Sequence, residues 1–232
     1  MLSFITSGIA ALAMLMALQP LAAVAAIANG QVDDFEDGSL QGWSVGAANP
    51  QPPINVASGG PGGPDDRYLG FASTGVAGPG GKLALFDVDH WTGDYLAAGV
   101  SSIRMQVRNF GQTDLLLRLI LEDGVHFQSL ISAGAVSLLA GGDWTPVSFA
   151  LGAADLVGGD YATVLGSVTT LNLVHSPGTV PARSSVPNIA AQIGVDNIAA
   201  VPEPKAFALL ALGLGVFALR VAFRQGRRAA TG

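Results

Sequence analysis

Ile103, Met105 and Val107 alternate with Arg104, Gln106 and Arg108. A period of two gives one dry and one wet face only if the backbone is extended. The pattern recurs at Val147, Phe149 and Leu151 and at Leu171 and Leu173, while Leu115 to Leu121 is apolar on both faces except at Arg118. The first pattern predicts half-buried strands and the last a strand covered on both sides. Turn chemistry separates them: Asn109-Phe110-Gly111, Glu122-Asp123-Gly124, Ala140-Gly141-Gly142-Asp143 and Gly158-Gly159-Asp160. Between residues 29 and 200 no stretch carries a sustained helical stripe with caps, and 48–66 is Pro/Gly-rich, which predicts a long rim loop. Short strands with regular punctuation predict a mostly β chain folded as a single antiparallel β-sandwich.

Composition narrows the function. Half of the 232 residues are hydrophobic and only 12% are charged, which is too apolar for intrinsic disorder. The net charge of −6 argues against a nucleic-acid binder. No Cys is present, which excludes a disulfide framework, a thiolate metal cluster and a cysteine nucleophile. With 31 Gly and 13 Pro, turns outnumber surface helices.

The two ends differ from the middle. Ile9 to Leu18 is apolar, Pro20 interrupts it, and Ala22 to Ala28 are nearly all small. That order is the apolar core and cleavage zone of a secretory signal over residues 1–28, although no Lys or Arg precedes Arg67. Cleavage after Ala25 and cleavage after Ala28 both fit. At the other end, Val201-Pro202-Glu203-Pro204-Lys205 leads into an apolar segment, 206–223, followed by Arg224, Arg227 and Arg228. As a helix the segment is about 27 Å long at ~1.5 Å per residue, close to the ~30 Å of a bilayer core. Arg220 lies near enough to its end to snorkel. The basic tail belongs on the cytoplasmic side, which leaves the middle domain outside the inner membrane.

Val201, Pro202, Glu203 and Pro204, with the span and the Arg-rich tail, resemble the PEP-CTERM sorting signal of Gram-negative bacteria. The resemblance covers residues 201–232, with the motif at 201–204, the transmembrane helix at 206–223 and the basic tail at 224–228. It implies export, a membrane-anchored precursor and processing by an exosortase-type membrane protease, with release to the cell surface or beyond, in a setting of exopolysaccharide and biofilm. Two prolines hold the motif extended and remove backbone donors, a form a protease can grip. Lys205 stands where smaller or more polar residues are usual in that family.

The middle domain, residues 29–200, holds six basic residues against sixteen acidic ones, a net charge of −10. Such acidity suits solubility, calcium or a hydrated polysaccharide layer. At its ends, Asp34-Phe35-Glu36-Asp37-Gly38-Ser39-Leu40-Gln41-Gly42-Trp43 and Ile193-Gly194-Val195-Asp196-Asn197-Ile198 resemble the first and last strands of jelly-roll carbohydrate-binding modules. That resemblance implies a jelly-roll-like sandwich whose first and last strands pair. It also implies a structural calcium, with Glu36 and Asp196 as carboxylate ligands and backbone carbonyls completing an oxygen shell.

Three indoles offer apolar faces to a sugar. Trp91 and Tyr95 are the expected glycan contacts, because Asp87 to Tyr95 crowds acids, aromatics and Gly into one loop, whereas Trp43 and Trp144 border apolar strands and are expected in the core. His90, His126 and His175 lack metal-ligand spacing. There is no Gly-x-Ser-x-Gly elbow and no phosphate-binding Gly loop followed by Lys-Ser/Thr. The sequence therefore predicts a non-enzymatic exported surface or matrix protein that requires no cofactor. The alternative is a carbohydrate-binding module with structural calcium. A polysaccharide hydrolase or lyase is the remaining class, for which no catalytic residues are assigned.

Overall fold

The computed structural model describes residues 26–202, which form two antiparallel sheets packed face to face. The apolar N-terminal segment, Glu203, Pro204, the 206–223 segment and Arg224, Arg227 and Arg228 lie outside the described residues.

The first sheet contains β1 (Val32–Asp33), β2 (Ile54–Val56), β3 (Tyr68–Thr74), β5 (Val100–Asn109), β9 (Thr145–Ala150) and β12 (Ala190–Pro202). Its order is β2-β3-β12-β5-β9. β12 pairs with β3 over its first half and with β1 further on, at Val32↔Ala199 and Asp33↔Ile198. Beginning and end of the sandwich are thus joined, as the jelly-roll resemblance implies. The pairing residues stand just before the 34–43 stretch, which is turn rather than strand. The second sheet contains β4 (Ala84–Asp87), β6 (Leu115–Asp123), β7 (Gln128–Ser132), β8 (Val136–Leu138), β10 (Leu156–Gly158) and β11 (Thr170–His175), in the order β10-β7-β6-β11-β4 with β8 on β6. A short α-helix, α1 (Tyr161–Gly166), is capped by Asp160, whose carboxylate accepts the Thr163 N–H at 2.8 Å.

Alternation sets the register. Ile103 faces Phe149, and Val195 faces Val107. These side chains point inward against Leu117, Leu119, Leu121 and Leu173 of the second sheet, all fully buried. Each such side chain contributes about 1.5–3 kcal/mol of burial free energy. The outer side of β6 is also dry, because the 176–189 segment crosses it: Val186 covers Ile120, Ile131 and Val174. Arg118 lies beneath the same segment, donating from Nε to the Ser176 carbonyl at 3.0 Å and from Nη1 to the Ser132 and Ala133 carbonyls. That covering explains a strand apolar on both faces with a single Arg in it.

The edges differ from the sequence reading in two ways. The 48–66 stretch is not loop throughout, since it contributes β2 to the first sheet. The fold also extends past 29–200. Ile27 is a core residue, 5% exposed, whose N–H donates to the Thr92 carbonyl at 2.7 Å, and β12 carries Val201 and Pro202 alongside Ser102 and Val100.

Candidate functional site

Gly194 lies in the middle of β12, on the outer face of the first sheet, between Gly70 of β3 and Arg108 of β5. A glycine inside a strand marks a point of close approach. Three rings meet above it. A Cβ placed on Gly194 would lie 2.7 Å from Trp144 Cη2, 2.9 Å from Phe110 Cε2 and 3.0 Å from Tyr68 Cδ2. Trp144 meets Tyr68 and Phe110 edge-on, with centroids 5.2 and 6.1 Å apart, and Phe110 stacks on Tyr68 at 5.8 Å. All three side chains are half-buried, so the aromatic cluster is partly exposed on the sheet surface.

Polar groups frame it. Arg108 places its guanidinium 4.7 Å from the Phe110 ring centre and donates from Nε to the Gly142 carbonyl. Trp144 donates its indole N–H to the Gly59 carbonyl at 3.0 Å, which ties the ring to the 59–63 turn. Burial raises the Tyr68 hydroxyl pKa, with Arg108 opposing, so it stays a neutral donor and acceptor. Gln192 is exposed beside the rings. A trough of about 120 Å³ runs from the platform between Ile54, Val56 and Gln192. Enclosed small-molecule sites hold ~300–1,000 Å³, so this trough is too small to enclose one.

Trp91 and Tyr95, the expected glycan contacts, are 0% exposed and belong to the core. Asp87 Oδ1 accepts the backbone N–H groups of Asp89, His90 and Trp91 at 2.8–2.9 Å and folds that loop onto itself. The Trp91 indole then reaches Asp33 Oδ2 at 2.6 Å, and the Tyr95 hydroxyl donates to the Trp91 carbonyl. Trp43, expected in the core, is there, and donates to the same Asp33 oxygen at 2.8 Å. Trp144, also expected in the core, is instead part of the surface platform. Tyr68 and Phe110 were not singled out by their local sequence. The usable signals were an aromatic inside a turn triplet at Phe110 and an isolated strand glycine at Gly194.

Asp196 is buried, and both its oxygens accept from Asn197, through the backbone N–H and the side-chain amide. Burial, then repulsion from Asp66, Glu36 and Asp34, raises its pKa to about 7. Glu36 Oε1 accepts the Arg67 N–H. The oxygen donors are of the type calcium takes, although among the described residues no three His, Asp or Glu side chains converge to hold a metal. The histidines are dispersed: His90 lies against the Gln41 carbonyl, His126 against Asp123, and His175 accepts the Leu116 N–H.

No family model and no curated protein matches this chain in sequence. Among solved structures, an exo-β-agarase shares its fold over 76% of this chain and 25% of its own, with a TM-score of 0.54 and 11% identity. A Clostridium thermocellum endo-1,4-β-D-xylanase 10B structure, comprising CBM22-1 and GH10 modules with xylohexaose, aligns at TM-score 0.47 and 15% identity over 75% of this chain and 28% of its own. The family 11 carbohydrate-binding module of C. thermocellum, in complex with a mixed-linked tetrasaccharide, aligns at TM-score 0.49 and 11% identity over 75% of this chain and 97% of its own. The chain thus spans about a quarter of the length of the two enzymes. The likeness to the agarase, at 11% identity, is one of fold.

Proposed function

We propose that the sandwich is a non-catalytic carbohydrate-binding module that holds a polysaccharide chain across the outer face of its first sheet. The observation that carries this reading is the Tyr68–Phe110–Trp144 platform over Gly194. Aromatic rings offer flat apolar area at low entropic cost, and a pyranose presents a matching C–H face. Arg108 and Gln192 supply donors for the hydroxyls at the rim. Glycan-array binding by the full-length protein, repeated with Trp144→Ala and Tyr68→Ala, tests the assignment. Binding is expected for the wild-type protein and a loss of about tenfold or more, ~1.4 kcal/mol, for Trp144→Ala. Unchanged array profiles in both variants contradict it.

The terminal segments extend the same reading. The chain is exported, held in the inner membrane through 206–223, and processed at Val201-Pro202-Glu203-Pro204 by an exosortase-type partner. Membrane tethering holds the motif near that enzyme at high effective concentration. The sandwich is then delivered to the cell surface or matrix, where exopolysaccharide is its partner. The test is the mass of the protein from its native host after Pro202-Glu203-Pro204 is replaced by alanines. The full-length mass is expected, and a mature C-terminus identical to wild type contradicts the sorting reading.

A structural calcium at Glu36 and Asp196 is a second element of the proposal. Burial is the main cause of the raised Asp196 pKa, and the repulsion that Asp66, Glu36 and Asp34 add to it is what a cation would relieve.

A further inference from the structure

We propose a second glycan site, on the edge of the other sheet, that takes a carboxylate-bearing sugar: a uronic-acid residue of an acidic polysaccharide. It is a cleft of about 420 Å³, within the ~300–1,000 Å³ range of small-molecule sites. Phe86 and Ala84 of β4 and Pro79 line it with apolar surface, while Asn49 and two cations, Lys82 and Arg183, complete it. The sandwich carries sixteen acidic residues and only six basic ones, yet this cleft holds two of the six and no Asp or Glu lines it. Charges beyond ~8 Å are largely screened at physiological salt, so these two cations outweigh the distant net negative charge.

Among the described residues neither cation is paired with a carboxylate. Among the described residues Arg183 makes no ion pair; its guanidinium lies 4.3 Å from the Phe86 ring centre, and Nη1 is buried without an acceptor. A guanidinium held over a ring is restrained in position, and Arg recognises planar carboxylates through its fork of donors. Lys82 Nζ donates to the Ser184 carbonyl at 2.6 Å, which fixes the ammonium and leaves two further donors. The walls are set in advance. Gly80 has a φ of +79°, and a Cβ there would lie 2.7 Å from Asn49 Oδ1, so the two loops that bound the cleft are closed on each other. Ala84 and Pro79 give apolar surface to the C–H face of a sugar, and Arg183, lying over Phe86, and Lys82 give a cationic rim to its acid, which is the chemistry of a uronate.

This site lies apart from the Trp144 platform and stands or falls separately. The test is calorimetric titration of the full-length protein with tetragalacturonic acid and with its fully methyl-esterified form, which keeps the sugar and removes the charge. Expected are binding of the acid, at least tenfold weaker binding of the ester, a tenfold loss with Arg183→Gln and a smaller loss with Lys82→Gln. Lys82 is only partly buried, so its variant reports even if Arg183→Gln unfolds the segment. Trp144→Ala is expected to leave acid binding unchanged while removing binding of neutral glycans. Absence of acid binding, equal affinity for acid and ester, or acid binding unaffected by Lys82→Gln and Arg183→Gln overturns the proposal. So does acid binding lost with Trp144→Ala alone, which would place the acid on the platform.

Discussion

Trp144 lies across Gly194, its Cη2 2.7 Å from the point where any other residue would place a Cβ. The aromatic platform therefore depends on the absence of a side chain at one position of β12. Gly194→Ala must displace Trp144 and Phe110 and crowds Tyr68. It is expected to lower glycan affinity about tenfold, as loss of a central contact does, while the sheet itself stays folded. Affinity titration beside a thermal melt checks this. Unchanged affinity would mean that the rings are not the contact surface.

Asp33 joins the two core indoles, accepting from Trp43 at 2.8 Å and Trp91 at 2.6 Å on one oxygen. Asp33→Ala leaves two buried indole N–H groups unpaired, at about 1–3 kcal/mol each. A domain of this size loses ~2–4 °C of Tm per kcal/mol, so a fall of roughly 4–8 °C or more is expected in a melt. Asp33→Asn, which keeps an acceptor oxygen, falls less. Equal Tm for Asp33→Ala and wild type would contradict the bonding pattern.

Asp196 makes stability depend on pH. Its native pKa of about 7 is above the ordinary 3.8, so the folded state holds a proton that the unfolded chain gives up. Stability thus falls as pH rises from about 4 to 7 and then levels. Asp123 acts in a separate window: although burial works against it, bonds from Ser167, His126 and the Val125 N–H hold its pKa at about 2, so its contribution is lost only below pH 4. Denaturant titrations across pH 4–7 should show a slope that Asp196→Asn removes. Calcium at millimolar level should flatten the same slope if Glu36 and Asp196 ligate it; a slope indifferent to calcium rules that ion out.

Ile27 separates the two cleavage points that the N-terminal sequence allows. Cutting after Ala25 keeps Ile27 in the core and its bond to Thr92, whereas cutting after Ala28 removes both. The mature N-terminus, read by mass spectrometry, is expected to be Ala26. A mature chain that begins at Asn29 and melts at the same temperature as one that begins at Ala26 would contradict this.

What the sequence disclosed followed from local periodicity. Ile103-Met105-Val107 lies where alternation places it, because one face of β5 is buried all along the strand, whereas β11 is buried on both faces, Asn172 and Val174 as well as Leu171 and Leu173. The dry outer side of β6 was visible, but its cover, the 176–189 segment with Val186, was not, because nothing local marks that a loop will cross a sheet. The binding face was illegible for the same reason. Tyr68, Phe110 and Trp144 come from three separate parts of the chain and meet only through the register of β12 with β3 and β5. Trp91 misled because its burial depends on Asp33, 58 residues away.

The most direct measurement uses the three indole N–H resonances of the protein. Trp43 and Trp91 are bound to Asp33 in the core, and Trp144 stands on the surface face. Titration with a neutral oligosaccharide that the protein retains is expected to shift the Trp144 indole signal and leave the other two in place. A bound glycan that leaves Trp144 unmoved, or that shifts Trp91 alone, would contradict the assignment of the binding face.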